Sequence, residues 1–219
     1  MRFKTYLTMT ATAICLAACS DDSNGDTPTE PVKDTMTVNA SDYGTWTYID
    51  LKTGQTETVR DFNAWNYLTD GAVVSTTPAQ GSEADIKIDW QIAIHRYDIR
   101  TNGGAAIATT ETEFSKVTTF PTTGYTEDAT VTNTIITDMS GMMDSKIGYA
   151  ATGKQNEVLN QWLKKTATGA MPPYVYEPTN LIYVVRCKDG SYAKLKFTDN
   201  TNAEGKSGYV TFSYEYTEK

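Results

Sequence analysis

The sequence predicts a mainly β protein, an antiparallel β-sheet domain with one amphipathic helix near residues 154–167. Three observations support this fold class. Apolar residues recur at every second position in several segments, which is the period of a strand with one buried face. Two such segments flank Asp189-Gly190, a turn sequence typical of β-hairpins. The 14 tyrosines and the many threonines suit pleated sheets better than helices.

The first 18 residues predict export from the cytoplasm. They begin with basic residues, continue with an apolar run too short to span a bilayer, and end with small side chains, as signal peptides do. Leu16–Cys19 reads LAAC and resembles a bacterial lipobox, so Cys19 is the predicted lipidation site and mature N-terminus. Ser20–Asp22 resembles the acidic tag of surface lipoproteins in Gram-negative anaerobes. We expect a lipid-anchored outer-membrane protein exposed on the cell surface, with release from the surface as an alternative.

Residues 19–35 are polar, acidic and contain proline, which predicts a flexible acidic tether before a folded domain over residues 36–219. Loss of Arg2 and Lys4 with the signal takes the 19 basic residues to 17, against 27 acidic residues. The formal net charge then changes from −8 to −10. Such an anionic surface argues against nucleic acid and acidic lipid headgroups as partners.

The strands are predicted in chain order from their alternation. Residues 42–54 (DYGTWTYIDLKTG) alternate and end in a turn, and residues 84–99 (ADIKIDWQIAIHRYDI) give the clearest strand. In the latter, isoleucines and Trp90 fall on one face, while polar residues including His95 fall on the other, which predicts one buried and one half-exposed side.

The segment 154–167 (KQNEVLNQWLKKTA) interrupts this pattern. It places Val158, Leu159, Trp162 and Leu163 at helical spacing, with lysines near its end, and Gly169 would terminate the helix. The C-terminal third returns to strands. Residues 181–187 and 191–197 predict the hairpin around Asp189-Gly190, and 209–216 (YVTFSYEY) a last strand.

Several common chemistries are excluded or unsupported. His95 is the only histidine, so a histidine-based triad or a multi-histidine zinc site cannot form. The glycine-rich residues 100–105 (RTNGGA) lack the order of a phosphate-binding loop. Cys187 is the one cysteine expected in the mature domain and lies in an apolar pattern, so we predict a buried structural thiol without a disulfide.

The methionines are unusually clustered. Of seven, Met139, Met142 and Met143 lie in the polar loop 137–146 (TDMSGMMDSK), and Met171 follows the predicted helix. Thioether sulfur is a soft ligand that suits copper(I) and haem iron. Neighbouring aromatic and basic side chains, Tyr149, Tyr174 and Lys146, are what a flat apolar macrocycle with carboxylates would need. Composition alone favours another explanation, in which the methionines fill a packing gap, and a copper site is a further alternative.

Residues 89–104 (DWQIAIHRYDIRTNGG), 183–197 (YVVRCKDGSYAKLKF) and 208–216 (GYVTFSYEY) resemble the HmuY-type haem-binding lipoproteins, the haemophores of Gram-negative anaerobes. The resemblance implies a mostly antiparallel β fold that holds haem b (iron protoporphyrin IX) between two axial side chains. Histidine pairs serve in some members, but His95 belongs to a scaffold strand here. The resemblance therefore places the chain in a methionine-ligating branch, with Met171 as one ligand and Met143, or alternatively Met142, as the other, and with Met139 ranked last.

The same resemblance implies a non-enzymatic function. The protein would take haem from host haemoproteins or other haemophores and pass it to a TonB-dependent outer-membrane receptor. Tyr149, Tyr174 and Lys146 would line the haem pocket. The alternative is a surface adhesin or glycan-binding module, in which exposed Trp46, Trp65 and the tyrosines stack on sugars and the methionines are structural. A scaffold subunit of a surface complex is a third hypothesis.

Overall fold

The structure is a computed structural model that describes residues 31–171 and 174–219. The predicted signal peptide, the lipidation site Cys19 and the tether as far as residue 30 lie outside the described residues. Within the described residues the chain forms strands and short 3₁₀ turns, and no α-helix.

The strands are β1 Val32–Asn39, β2 Thr45–Ile49, β3 Thr56–Arg60, β4 Trp65–Thr69, β5 Ala72–Thr77, β6 Ile92–His95, β7 Asp98–Thr101, β8 Ala105–Ala108, β9 Thr126–Glu127, β10 Ala129–Val131, β11 Ile136–Asp138, β12 Ile147–Ala150, β13 Gly153–Gln155, β14 Leu163–Ala167, β15 Tyr174–Pro178, β16 Ile182–Arg186, β17 Tyr192–Thr201 and β18 Ser207–Thr217. The 3₁₀ turns span Glu83–Asp85, Phe114–Lys116, Met142–Asp144 and Leu159–Trp162.

All strand pairs of the described chain are antiparallel, which confirms the predicted fold class. The largest sheet has the order β1-β18-β17-β16-β8-β9. Two four-stranded sheets have the orders β3-β2-β6-β7 and β11-β12-β4-β5, and the pairs β10-β13 and β14-β15 complete the fold.

The sheet β3-β2-β6-β7 is covered on both faces. Ile92 and Ile94 of β6 join the main core against the largest sheet, where they share a cluster with Phe212. Ala93 points the other way, into a second core with Trp46 and Ile135. Alternate residues of one strand therefore enter two different cores, and this is why β6 is buried at all four positions.

The predicted C-terminal strands are confirmed. β16 and β17 form the hairpin around Asp189-Gly190, where Gly190 takes a positive φ of 88°. The Asp189 carboxylate accepts hydrogen bonds from the backbone and side chain of Ser191 and so fixes the turn. In β18 every second residue is buried, including Phe212 and Tyr214, as the period of two predicts.

The predicted strand 84–99 is wrong in two respects. Only Ile92–His95 forms its central strand, while Ile86 and Trp90 pack against the second core from irregular backbone. His95, expected to be half exposed, is completely buried. The reason is tertiary: β6 lies between two sheets, so its polar face is covered as well.

The predicted helix at 154–167 is also wrong. Residues 153–155 form β13, Leu159–Trp162 form a 3₁₀ turn, and Leu163–Ala167 form β14. Leu159 and Trp162 are buried together because an i, i+3 pair faces one side in a 3₁₀ turn as well as in an α-helix. β14 pairs with β15 along its whole length, and Gly169, with a φ of 69°, lies in the hairpin loop.

The first strand of the described chain begins within the segment that the sequence predicts as a tether. β1 starts at Val32 and pairs with β18 from Tyr216 onward, so residues 32–35 are part of the sheet.

In the part of the chain that the structure describes, no helix has the length and apolar character needed to cross a membrane.

Candidate functional site

A cleft of about 400 Å³ opens between three parts of the fold. Its floor comes from the β6–β7 hairpin, one wall from β11 and the residue after it, and the other wall from β14 and β15. The lining residues are Tyr43, His95, Arg96, Tyr97, Asp98, Thr134, Ile136, Met139, Asn160, Leu163, Lys165 and Tyr176. This size falls within the range of about 300–1,000 Å³ that small-molecule sites occupy.

The floor of the cleft is fixed by partly buried hydrogen bonds. His95 Nε2 lies 2.8 Å from the carbonyl oxygen of Tyr43, and its Nδ1 lies 3.4 Å from Asp98 Oδ2. Because a carbonyl only accepts, Nε2 must carry a proton and has no lone pair free for a metal. Next to it, Arg96 has a positive φ of 52° and donates to the carbonyls of Ser41 and Ser207. Both ring nitrogens of the buried His95 thus face protein partners, which fits the scaffold role that the sequence predicts.

The first wall continues into the loop that carries three methionines. Ile136 and Met139 line the cleft, and Met142 and Met143 follow in the 3₁₀ turn. Asp138 anchors this loop. Its Oδ1 accepts from the Ser140 backbone at 2.8 Å and its Oδ2 accepts from the Tyr67 hydroxyl at 2.9 Å.

The ionisation of Asp138 follows from these contacts. Partial burial by itself opposes the charged form, but the hydrogen bonds from Ser140 and Tyr67 and the nearby Lys146 charge outweigh it. The pKa of Asp138 is therefore below its ordinary value. The carboxylate stays charged in mildly acid solution and continues to hold the loop.

The second wall continues into the hairpin loop that carries Met171. Lys165 and Tyr176 line the cleft, and the Lys165 ammonium lies 3.8 Å from the ring centre of Tyr174. Tyr176 stacks on Tyr97 of the floor at 5.3 Å between ring centres. An aromatic and cationic surface thus leads from the floor towards the tip of the β14–β15 hairpin.

The predicted ligands lie on the loops that follow the two walls in the chain. Met143 and Met171 are each 89% exposed, and Met142 is 53% exposed. None of the three lines the cleft, whereas Met139, which the sequence ranks lowest, does. Of the predicted pocket residues, Tyr174 is exposed beside Lys165, and the Lys146 ammonium lies 5.0 Å from the centre of the Tyr67 ring. Tyr149 of β12 pairs with Ile136 of β11.

Sequence reasoning missed most of the cleft itself. Tyr97 and Asp98 belong to the quoted segment 89–104, and their place directly after the only histidine is the one signal that could have found them. Lys165 and Tyr176 become neighbours only through the β14–β15 pairing, in which they are opposite each other. The prediction of a helix at 154–167 hid that contact.

The glycan-binding alternative loses the two tryptophans on which it was partly based. Trp46 is 2% exposed and Trp65 is 7% exposed, so neither ring is available to stack on a sugar. The Trp46 indole donates to Asp61 Oδ2 at 2.9 Å inside the second core.

Cys187 is buried as predicted, and burial raises the pKa of its thiol to about 11. Over residues 31–171 and 174–219, no three His, Cys, Asp or Glu side chains are placed to hold a metal ion.

Comparison with known proteins identifies close relatives of this architecture. The sequence profile of the HmuY protein family matches residues 42–214. The apo HmuY analog TFO of Tannerella forsythia is 47% identical, with a TM-score of 0.81 over 89% of this chain and 100% of that chain. Apo PinO from Porphyromonas is 30% identical, with a TM-score of 0.77 over 86% of this chain and 98% of that one.

A third structure comes from a Bacteroides vulgatus protein described as HmuY-like and haem-binding. It is 33% identical, with a TM-score of 0.68, over 85% of this chain and 93% of that one. No curated protein matches this chain. The family match spans most of the described domain, and the matching structures share its fold at 30% identity or more. The chain belongs to the HmuY family.

Proposed function

We propose that this protein is a surface haem-binding lipoprotein, a haemophore, that captures haem b through two axial methionines. Met171 is the first ligand and Met143 the second, with Met142 as the alternative to Met143. The protein takes haem from host haemoproteins or other haemophores and delivers it to a TonB-dependent outer-membrane receptor. Lipid at Cys19 anchors it in the outer membrane.

One observation carries the proposal. Seven large hydrophobic side chains are exposed among the described residues, and five of them lie on the methionine loop 137–146 or on the β14–β15 hairpin. These five are Met142, Met143, Met171, Tyr174 and Val175. Exposed apolar clusters of this kind mark ligand or partner sites in soluble proteins. The proposed ligand would cover them.

The chemistry of these side chains fits haem. A porphyrin needs an apolar slot, soft or nitrogen donors to its iron, and cations near its carboxylates. The two loops present thioethers, Tyr174 provides an aromatic face, Lys165 lines the cleft, and Lys146 lies at the end of the methionine loop over the Tyr67 ring. Tyr149 supports the first loop from β12. The description of the Bacteroides vulgatus relative as haem-binding is consistent with this assignment.

Two methionine ligands also explain a role without catalysis. Peroxidases and oxygenases need an open coordination position on the iron. If Met171 and Met143 occupy both axial positions, oxygen and peroxide have no site at which to bind. We therefore propose a carrier and not an enzyme.

A hemin titration of the purified protein tests the function. We expect a saturable low-spin spectrum with a sharp Soret band and resolved Q bands under reducing conditions. A sample that stays unchanged with excess hemin and dithionite would exclude haem capture. Binding with a broad high-spin spectrum would leave capture intact but exclude two axial thioethers.

The haem spectrum is expected to persist between pH 7 and pH 5.5. Imidazole ligands lose iron as they protonate through a pKa of about 6.5, whereas a thioether has no proton to gain. The methionine loop is held over this range as well, because the pKa of Asp138, which anchors it, is lowered in the folded protein. The stabilisation from a carboxylate with a lowered pKa is fully present above its ordinary pKa and is lost only as the pH falls through the lowered value. Spectra recorded across this range check it, and loss of the Soret band above pH 5.5 contradicts it.

Reduction is expected to tighten haem binding. Neutral soft sulfur stabilises ferrous iron over the harder ferric ion. We expect the dissociation constant to fall by at least about tenfold when dithionite is added, which corresponds to about 1.4 kcal/mol. Parallel titrations of hemin with and without dithionite measure it. Equal constants in the two states argue against ligation by two methionines.

A further inference from the structure

Arg100 of β7 is a buried cation that forms no close ion pair with a carboxylate among the described residues, and the charge of Asp128 acts on it only from a longer distance. Arg100 is 8% exposed. Its Nη2 donates to the Tyr48 hydroxyl at 2.7 Å. Four aromatic rings surround the guanidinium carbon at 4.9 to 5.3 Å from their centres, namely those of Trp46, Tyr48, Phe62 and Trp90.

The remaining nitrogens of this guanidinium are unpaired. Nε is enclosed and has no hydrogen-bond partner among the described residues. The hydrogen bonds of the described residues include none from Nη1 either, and this atom is not among the enclosed ones. Two carboxylates of this region are bonded elsewhere, since Asp61 accepts from Trp46 and Asp128 accepts from Thr101.

A buried charge is costly unless an opposite charge or several hydrogen bonds compensate it. Cation–π contacts return about 0.5–2 kcal/mol each, and they act on the faces of the guanidinium plane. They leave the N–H groups at its edge without acceptors. Arg100 therefore has unused donor capacity of the kind that binds oxyanions.

Arg100 lines a pocket that is separate from the cleft. The pocket has a volume of about 290 Å³ and is lined by Phe62, Asn63, Glu83, Arg100, Thr130, Thr152, Gly153 and Lys154. It holds two cations and one carboxylate, so it is locally positive in a protein whose net charge is −8. Lys154 is exposed and forms no ion pair with the described residues.

A neighbouring pocket makes one side of Arg100 more negative than the other. It also contains Arg100, Glu83 and Lys154, but adds Glu127 and Asp128, so an anion is disfavoured there. On the other side, Thr130 and Thr152 add hydroxyls and Asn63 adds an amide. The favourable position for an anion is therefore between Arg100 and Lys154 on the threonine side.

We propose that this pocket binds a small oxyanion, a carboxylate or phosphate group, between Arg100 Nη1 and the Lys154 ammonium. Thr130 and Thr152 are the hydroxyl donors beside it. The site shares no lining residue with the haem cleft proposed above, so it is an independent binding function of the fold.

Titration with inorganic phosphate and with acetate, each at constant ionic strength, tests this site. Trp46 and Trp90 lie next to Arg100, so tryptophan fluorescence reports on an anion there, and calorimetry measures its affinity. We expect saturable binding of at least one probe. Saturation by phosphate alone or by acetate alone identifies the group that the site takes, and either result supports the site.

Two variants separate a site from general charge attraction. Lys154→Gln removes the cation at the mouth and is expected to weaken binding by about tenfold, a typical effect of one charged contact. Lys164→Gln removes an exposed lysine of β14 outside this pocket and is expected to change nothing. Arg100→Lys keeps a charge but loses the planar fork, and its fluorescence response should vanish if it folds.

The proposal is overturned if neither probe saturates, or if both lysine variants weaken binding equally. Arg100 would then serve only the packing of the second core. Haem spectra of the Lys154→Gln variant keep the two functions apart. An unchanged Soret band together with lost anion binding supports an independent site, and a lost Soret band contradicts that independence.

Discussion

Replacement of Met171 by alanine is expected to convert the low-spin haem spectrum to a five-coordinate high-spin one. The side chain is 89% exposed at the tip of the β14–β15 loop, so its removal costs the fold little. Haem affinity is expected to fall by at least about tenfold, since one of two iron ligands is lost. Optical titration and thermal unfolding of the same samples measure both quantities.

A matched control separates ligation from loss of apolar surface. Val175 lies in the same hairpin and is 44% exposed, so Val175→Ala removes exposed apolar area without removing a donor. It should keep the low-spin spectrum. Met171→His provides the positive control, because imidazole can also bind the iron. That variant should keep the low-spin spectrum at pH 7 and lose it on acidification, unlike the wild type.

The second ligand is found by comparing three variants of one loop. Met143→Ala is expected to reproduce the effect of Met171→Ala, and Met142→Ala to do so if Met142 is the ligand instead. Met139→Ala is informative because Met139 alone among these lines the cleft. Loss of the low-spin spectrum only in the Met139 variant would refute the assignment to Met143. Retention of the spectrum in all four methionine variants would refute methionine ligation altogether.

The fold class could be predicted because its signal is local. β18 buries every second residue over its length, and the β16–β17 hairpin turns at Asp189-Gly190 with a positive φ at the glycine. Both features depend on neighbouring residues and on the pleat of one strand. The sequence states them directly.

The burial of β6 and the strand at Leu163–Ala167 depend on distant residues. His95 has the polar position of an amphipathic strand, yet a second core covers it. Leu163–Ala167 has a composition that suits a helix, but pairing with Tyr174–Pro178 decides its conformation. Tertiary context overrides propensity in both places.

In the candidate site, too, the features that depend on neighbouring residues were predictable and those that depend on distant residues were not. The exposed methionines were recognisable as a cluster because their placement in a polar loop is unusual in any fold. The cleft between them was not recognisable, since Tyr97 and Tyr176 meet only when β15 folds back against the β6–β7 hairpin. Residue chemistry was readable from the sequence, and the spatial arrangement of the walls was not.

Replacement of Trp162 by alanine is expected to lower the free energy of unfolding by about 3–5 kcal/mol, the usual cost of truncating a buried aromatic residue. Trp162 is completely buried and lies 5.1 Å from Phe197 between ring centres. Its indole Nε1 donates to the Tyr97 carbonyl at 3.0 Å, which ties the 3₁₀ turn to the floor of the cleft. Denaturant unfolding of the two proteins measures the difference.

The control is Gln161→Ala in the same 3₁₀ turn. Gln161 is exposed, and its removal is expected to change the unfolding free energy by less than about 0.5 kcal/mol. Because Trp162 holds Tyr97, its loss should also weaken haem binding in molecules that remain folded, whereas Gln161→Ala should not. A cost below about 1 kcal/mol for Trp162→Ala would mean that the ring is not part of the main core. Intact haem affinity in that variant would separate the turn from the cleft, and the connection drawn here through Tyr97 would be wrong.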